Sequence, residues 1–124
     1  MAWNLDSDRP IYAQLVEILQ MRIVSGQYKP GARIPSVRDM AAEAAVNPNT
    51  MQRAFAELER DGLIVTQRTS GRSVTQDEAA IRRVKEQLAK NRIEDFITGM
   101  RRIGYSGQEI INMLEDVFKE ENHE

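Results

Sequence analysis

Between residues 36 and 62 the chain is punctuated so closely that two short helices joined by a tight turn are all that fits. Ser36-Val37-Arg38-Asp39 sets a capping hydroxyl three residues before a carboxylate, a variant of the capping box. It opens a helix that runs to about Ala45, with Val37, Met40, Ala41 and Ala44 inward. Asn47 then caps a second helix, and Pro48 sits at its first position, where a missing N–H does no harm. Met51, Phe55 and Leu58 form the inner stripe of that helix, and Gly62 supplies a left-handed stop. With that stripe inward, Asn49, Gln52, Arg53, Ala56 and Arg60 lie on or near the opposite face.

The flanking segments complete the pattern. A helix beginning near Pro10 carries Ile11, Leu15, Ile18, Leu19 and Ile23 at the 3.6-residue period and ends at Ser25-Gly26. Tyr28-Lys29-Pro30-Gly31 reads as a turn, with Pro-Gly in the order of type II. After Gly62, Leu63-Ile64-Val65-Thr66 is a β-prone run. A polar turn from Gln67 to Arg72 follows, and Ser73-Val74-Thr75 returns as a second strand. From about Asp77 a long amphipathic helix carries Ile81, Val84 and Leu88, then Phe96, Ile97, Met100 and Ile103, and stops at Gly104. Ser106-Gly107-Gln108-Glu109 is a second capping box, opening a last helix marked by Ile110, Ile111, Leu114, Val117 and Phe118. The expected fold is mainly α. Residues 1–76 should form a winged helix-turn-helix, three helices plus a β-hairpin wing, and residues 77–124 a short two-helix dimerisation segment.

Composition removes most chemistry. None of the 124 residues is cysteine, which excludes disulfides, thiol catalysis and cysteine-bound metal. The single histidine, His123, stands in a polar tail where nothing would orient it. No apolar run approaches the ~20 residues that span a bilayer, and the N-terminus lacks the basic and apolar regions of a signal peptide. The expectation is a soluble cytoplasmic protein that is not an enzyme, with no cofactor, no metal and no membrane partner. The net charge of −2 hides an uneven distribution: residues 9–72 hold nine basic against six acidic side chains, and eight of the nine are arginine. Arginine suits phosphate and base-edge recognition.

A short helix, a tight turn, a second helix for the major groove and a hairpin reaching the neighbouring backbone together make a reader of double-stranded DNA. Asn and Gln can pair bidentately with adenine, and Arg with guanine. Two alternatives come from other classes. A winged-helix protein-interaction module would leave the polar helix face unused. An RNA binder would need an aromatic stacking platform, and the aromatic residues here are scattered or inward.

The motifs carry a specific resemblance. Pro30-Gly31, then Ile34-Pro35-Ser36-Val37-Arg38-Asp39-Met40-Ala41, Val46-Asn47-Pro48-Asn49-Thr50-Met51 and Leu58-Glu59-Arg60-Asp61-Gly62-Leu63-Ile64 are similar to the GntR family of bacterial repressors. The likeness runs from about residue 9 to 75. The variant Asn47-Pro48-Asn49-Thr50 and the short tail resemble its YtrA-like subfamily. The resemblance implies a homodimeric transcription factor, commonly a repressor, on a palindromic operator. Arg38 fits the operator-contacting arginine of the family's Pro-Ser-x-Arg motif. Many relatives have arginine where this chain has Pro48 and Gln52, so Asn49, Thr50, Gln52 and Arg53 carry more of the reading. Gly71 fits the glycine at the wing tip, flanked by Arg68 and Arg72. Arg33, Ser36 and Asn47 complete the expected DNA-binding set. For Arg60 and Arg72 the alternative is a surface salt bridge, and at Arg60, beside Glu57, Glu59 and Asp61, that alternative is favoured.

The last two helices have apolar stripes that neither can bury alone. Two recognition helices one helical turn apart, ~34 Å, also need a dimer. Ile81, Val84, Leu88, Phe96, Met100, Leu114 and Phe118 are therefore expected to pair with a second copy, the alternative being that the stripes fold back on the winged domain and leave a monomer. A cavity among Phe96, Met100, Ile103, Leu114 and Phe118 could admit a small apolar effector, although such side chains more often are simply core.

Overall fold

The first helix starts where proline permits it. Pro10 precedes α1 (Ile11–Val24), and the computed structural model, which describes residues 3–122, continues through α2 (Val37–Ala44) and α3 (Pro48–Arg60). There follow β1 (Ile64–Gln67), β2 (Gly71–Val74), α4 (Glu78–Ile103) and α5 (Gly107–Glu121). His123 lies outside the described residues. Both expected caps form: Ser36 Oγ accepts from Asp39 N at 3.1 Å, and Asn47 Oδ1 from Asn49 N at 2.7 Å. The turn between them rests on Ala45, which takes φ 59° without being glycine. That conformation costs an alanine about 1 kcal/mol. Its N–H bonds Ala42 O at 3.2 Å and the next N–H, of Val46, bonds Ala41 O at 3.0 Å, so the last carbonyls of α2 are satisfied.

Two compact units result, Met1–Glu86 and Gln87–Glu124. In the first, Leu15, Leu19 and Ile23 of α1 meet Met40, Ala41 and Ala44 of α2 and Met51, Phe55 and Leu58 of α3, closed over by Leu63, Ile64 and Val74. Periodicity placed most of these. It did not place Gln14, a buried side chain whose Oε1 accepts from Asp6 N and whose Nε2 donates to Asp6 O, both at 2.6 Å. Nor did it place Trp3, which donates to Glu43 at 2.6 Å beneath the guanidinium of Arg22, 4.4 Å from the ring centre.

The unit boundary falls ten residues beyond the expected 76/77 division, and two of the expected dimerisation residues fall on the winged side of it. Ala80 is buried, and Ile81 and Val84 pack against the winged core. The first turns of α4 thus add to that core, with both side chains half-buried within one chain.

The wing is an antiparallel pair in the register Ile64↔Val74, Val65↔Ser73, Thr66↔Arg72 and Gln67↔Gly71. Its second strand starts two residues earlier than expected, because Gly71 takes φ +80° and turns the chain directly into pairing. Residues 31–34, read as turn and connection, run along the far side of β2. Ile34 N donates to Arg72 O at 3.0 Å and Val74 N to Ala32 O at 2.8 Å, with Arg33 and Ser73 bridged.

In the second unit, Gly104 ends α4 at φ +116° and the expected capping box opens α5. Glu109 N donates to Ser106 Oγ at 3.2 Å, and Ser106 N to Glu109 Oε1 at 2.9 Å. Ile110 is buried, yet Ile93, Phe96, Ile103, Leu114, Val117 and Phe118 remain exposed, and Leu88 and Met100 half-buried.

Candidate nucleic-acid interface

Helix α3 separates its faces as its sequence requires. Met51, Ala54, Phe55 and Leu58 are buried, whereas Asn49, Gln52, Arg53 and Ala56 are exposed and Thr50 is half-buried. Asn49 and Gln52 are three residues apart and so neighbours on one face, leaving two amide groups with donor and acceptor sites free to meet base edges. Arg53 is held rather than loose: its guanidinium lies 4.1 Å from the ring centre of Tyr12 on α1. Stacking of this kind fixes a side chain without neutralising it. Tyr12 is a supporting residue that sequence reasoning missed, since nothing local links positions 41 apart.

Ser36 and Asn47 act first as helix caps. Ser36 keeps a hydroxyl proton to donate, and Asn47 keeps its amide donors. Arg33, Ser36 and Gly71 come together along one groove between the start of α2 and the wing, lined also by Ile34, Pro35, Asp39 and Arg72. A Cβ on Gly71 would stand 3.6 Å from the Arg33 guanidinium, so any side chain there would meet Arg33 across that groove.

The eight arginines between residues 9 and 72 divide into two groups. Arg9, Arg22, Arg60 and Arg72 each have a carboxylate partner. Among the described residues Arg33, Arg38, Arg53 and Arg68 have none, and all four are exposed. Arg60 pairs with Glu57, as the charges around it suggested.

Arg72 departs from its expected part. Its Nε donates to Glu59 Oε1 at 2.8 Å and its guanidinium lies 5.4 Å from the centre of the Phe55 ring. Thr66 Oγ1 donates to the same carboxylate oxygen at 3.0 Å. The Arg72 bond, and after it that of Thr66, holds the Glu59 carboxyl below the ordinary glutamate range. Arg72 thus turns inward to α3, because a carboxylate and a ring face wait there. The surface salt bridge weighed for this residue is the arrangement found.

Among the described residues no helix is long and apolar enough to cross a membrane, and no acidic or histidine cluster could hold a metal ion. The family model for bacterial regulatory proteins of the gntR family matches residues 11–74. The HTH-type transcriptional regulator YhcF of Bacillus subtilis is 34% identical over 108 residues, 87% of this chain and 89% of its own length. The HTH-type transcriptional repressor YtrA of the same organism is 35% identical over 100 residues, 76% of this chain and 77% of its own. A solved GntR family transcriptional regulator from Listeria monocytogenes is similar with a TM-score of 0.80 at 38% identity, over 90% of this chain and 98% of its own. The matched stretch spans α1 to β2, the elements that build the exposed α3 face, and the chain belongs to the gntR family of bacterial regulatory proteins, in its YtrA-like branch.

Proposed function

We propose that the protein is a homodimeric repressor that binds a palindromic DNA operator in the cytoplasm. The observation that carries this reading is the exposed Asn49–Gln52–Arg53 face of α3, accompanied by Arg33, Arg38 and Arg68, which like Arg53 have no carboxylate partner among the described residues. Asn49, Gln52 and Arg53 read base edges in the major groove, with Thr50 and Asn47 at the helix start contacting the backbone beside them. Arg38, Arg33 and Ser36 grip phosphates, and Arg68 with Gly71 brings the wing to the neighbouring minor groove, whose negative potential attracts arginine. Arg72 is left out of this set because Glu59 occupies it.

Dimerisation follows from the second unit. Helices α4 and α5 line an apolar groove of about 660 Å³ that includes Ile93, Phe96, Ile97, Ile110, Leu114 and Phe118. Of these only Ile110 is buried within one chain. A second copy is the occupant that supplies both the missing apolar cover and the second recognition helix. Repression is supported by the similarity to YtrA.

Selection of bound DNA from a random pool tests the reading in one step. The expected product is an inverted repeat with half-site centres about one helical turn, ~34 Å, apart. An enriched motif without two-fold symmetry would remove the dimeric arrangement, and no enrichment would remove specific DNA binding.

A further inference from the structure

The wing is fixed at its base and bare beyond it. Ile64 and Val74 are buried, but the three pairs further out have exposed or half-exposed side chains. A two-stranded hairpin standing clear of a core is marginal by itself and free to twist. Residues 31–34 steady one edge of β2 through the backbone. Toward α3, the side-chain hydrogen bonds of the outer wing among the described residues go to a single carboxylate.

We infer that Glu59 on α3 and the cross-strand pair Thr66–Arg72 form a latch that sets the angle of the wing against the recognition helix. Glu59 and Arg72 are then positioning residues, and Arg72 serves DNA binding without touching DNA. The inference rests on the DNA-binding reading for its functional consequence, but the latch itself belongs to the free protein.

The geometry is specific. Thr66 and Arg72 face each other across the hairpin, and both donate to Glu59 Oε1, at 3.0 and 2.8 Å. One oxygen therefore holds both strands at the same level. The Arg72 guanidinium also lies over Phe55, a fully buried residue four positions before Glu59 on α3. The latch thus seats on a turn of the recognition helix whose other side is core. Glu59 and Arg72 are 25–35% exposed, so water screens the pair in part and its effect on binding is moderate.

The decisive property is the sign of one substitution. Glu59 carries negative charge on a helix that approaches a polyanion. If Arg72 were a DNA contact, Glu59→Ala would release it, remove a repulsion and tighten binding. If the pair is a latch, the same change frees the wing and weakens binding by roughly two- to fivefold. Alanine is the best helix former, so α3 itself does not suffer.

The test measures operator affinity over a salt series for wild type, Glu59→Ala, Arg72→Ala and the double variant. The latch predicts that both single changes weaken binding and that the double variant is no weaker than either. It also predicts an unchanged log–log salt slope for Arg72→Ala. Tighter binding by Glu59→Ala, or a slope lowered by ~0.9 in Arg72→Ala, would overturn it. A second arm needs no DNA. Amide hydrogen exchange at Val65 and Ser73, the pair next to Thr66–Arg72 in the ladder, should quicken in Glu59→Ala in the free protein while the Leu15 and Phe55 amides keep their rates. Unchanged exchange throughout the wing would reject the latch even if operator binding had never been found, and failure of wild type to bind any operator would leave this arm decisive.

Discussion

Phe118→Ala probes whether a second copy fills the α4–α5 groove. Phe118 is 58% exposed in the single chain, at the end of the stripe through Ile111 and Leu114. An aromatic side chain offers about 150–250 Å² for burial, so covering that fraction removes ~100 Å² from water. At ~25 cal/mol per Å² this amounts to ~2.5 kcal/mol in each copy. A two-fold interface repeats every residue, so the dimer gains ~5 kcal/mol from this position if cover is complete. Half cover, and the methyl that alanine retains, bring the expected loss to ~2–2.5 kcal/mol, or a rise of ~30- to 70-fold in the dimer dissociation constant. Sedimentation equilibrium over a dilution series reads it directly. Val65→Ala is the control, since Val65 is an exposed apolar residue on the wing rather than in the groove. A dimer constant that Phe118→Ala leaves where Val65→Ala leaves it would place any self-association on another surface.

Further tests separate the contact classes. Gln52→Ala should relax base preference at one operator position, at a cost of ~1–3 kcal/mol for a bidentate pair, and a base preference that stays intact would remove Gln52 from the reading set. Arg38→Ala should weaken binding to all sequences alike and lower the log–log salt slope by ~0.9 per phosphate lost; a sequence-selective loss would mark it as a base reader instead. Gly71→Ala forces a Cβ into a backbone at φ +80° against the Arg33 guanidinium. It should cost ~1–3 kcal/mol of stability by strain together with several-fold in affinity, and retained affinity in the folded fraction would show that the wing tip stays off the DNA. Glu43 is held below the ordinary glutamate range by hydrogen bonds from Trp3 and then Arg22. A depressed carboxylate contributes stability above its unfolded value and loses it as pH falls through the folded one. Fluorescence of Trp3, the only tryptophan, should therefore hold steady from neutral pH down to the ordinary glutamate range and change only below it. Persistence of that low-pH step in Glu43→Gln would assign it to another group.

What could be read from the residues was what short range decides. Ser36, Asn47-Pro48, Ser106 and Gly62 mark helix ends because a cap satisfies backbone groups within three residues of itself. The inner face of α3 follows from period alone, and that of α1 does so apart from the buried Gln14 and Val16. The end of α2 carried no such mark, since Ala45 adopts a glycine-like conformation that the surrounding turn imposes. Ile81 and Val84 show the limit of an apolar stripe: period says which side of α4 needs cover and leaves open what covers it. At the interface, the exposed face of α3 was legible. The partner that stacks under Arg53 and the one that turns Arg72 inward were not, because Tyr12 and Glu59 meet them only after the chain has folded.

The amide of Gln14 has a consequence for where this protein begins and ends as a folding body. Family likeness starts at residue 11 and stops at 74, yet Gln14 spends its hydrogen bonds on the backbone of Asp6 and Arg9. A chain trimmed to the shared stretch would keep that buried side chain and lose its partners, each orphaned group costing ~1–3 kcal/mol. The same trimming would strip Leu5, Ile81 and Val84 from the core at the other margins. The stretch that the family model spans is thus shorter than what must fold together. The flanks answer to burial within this chain: something apolar, and something able to meet an amide, has to stay in place there.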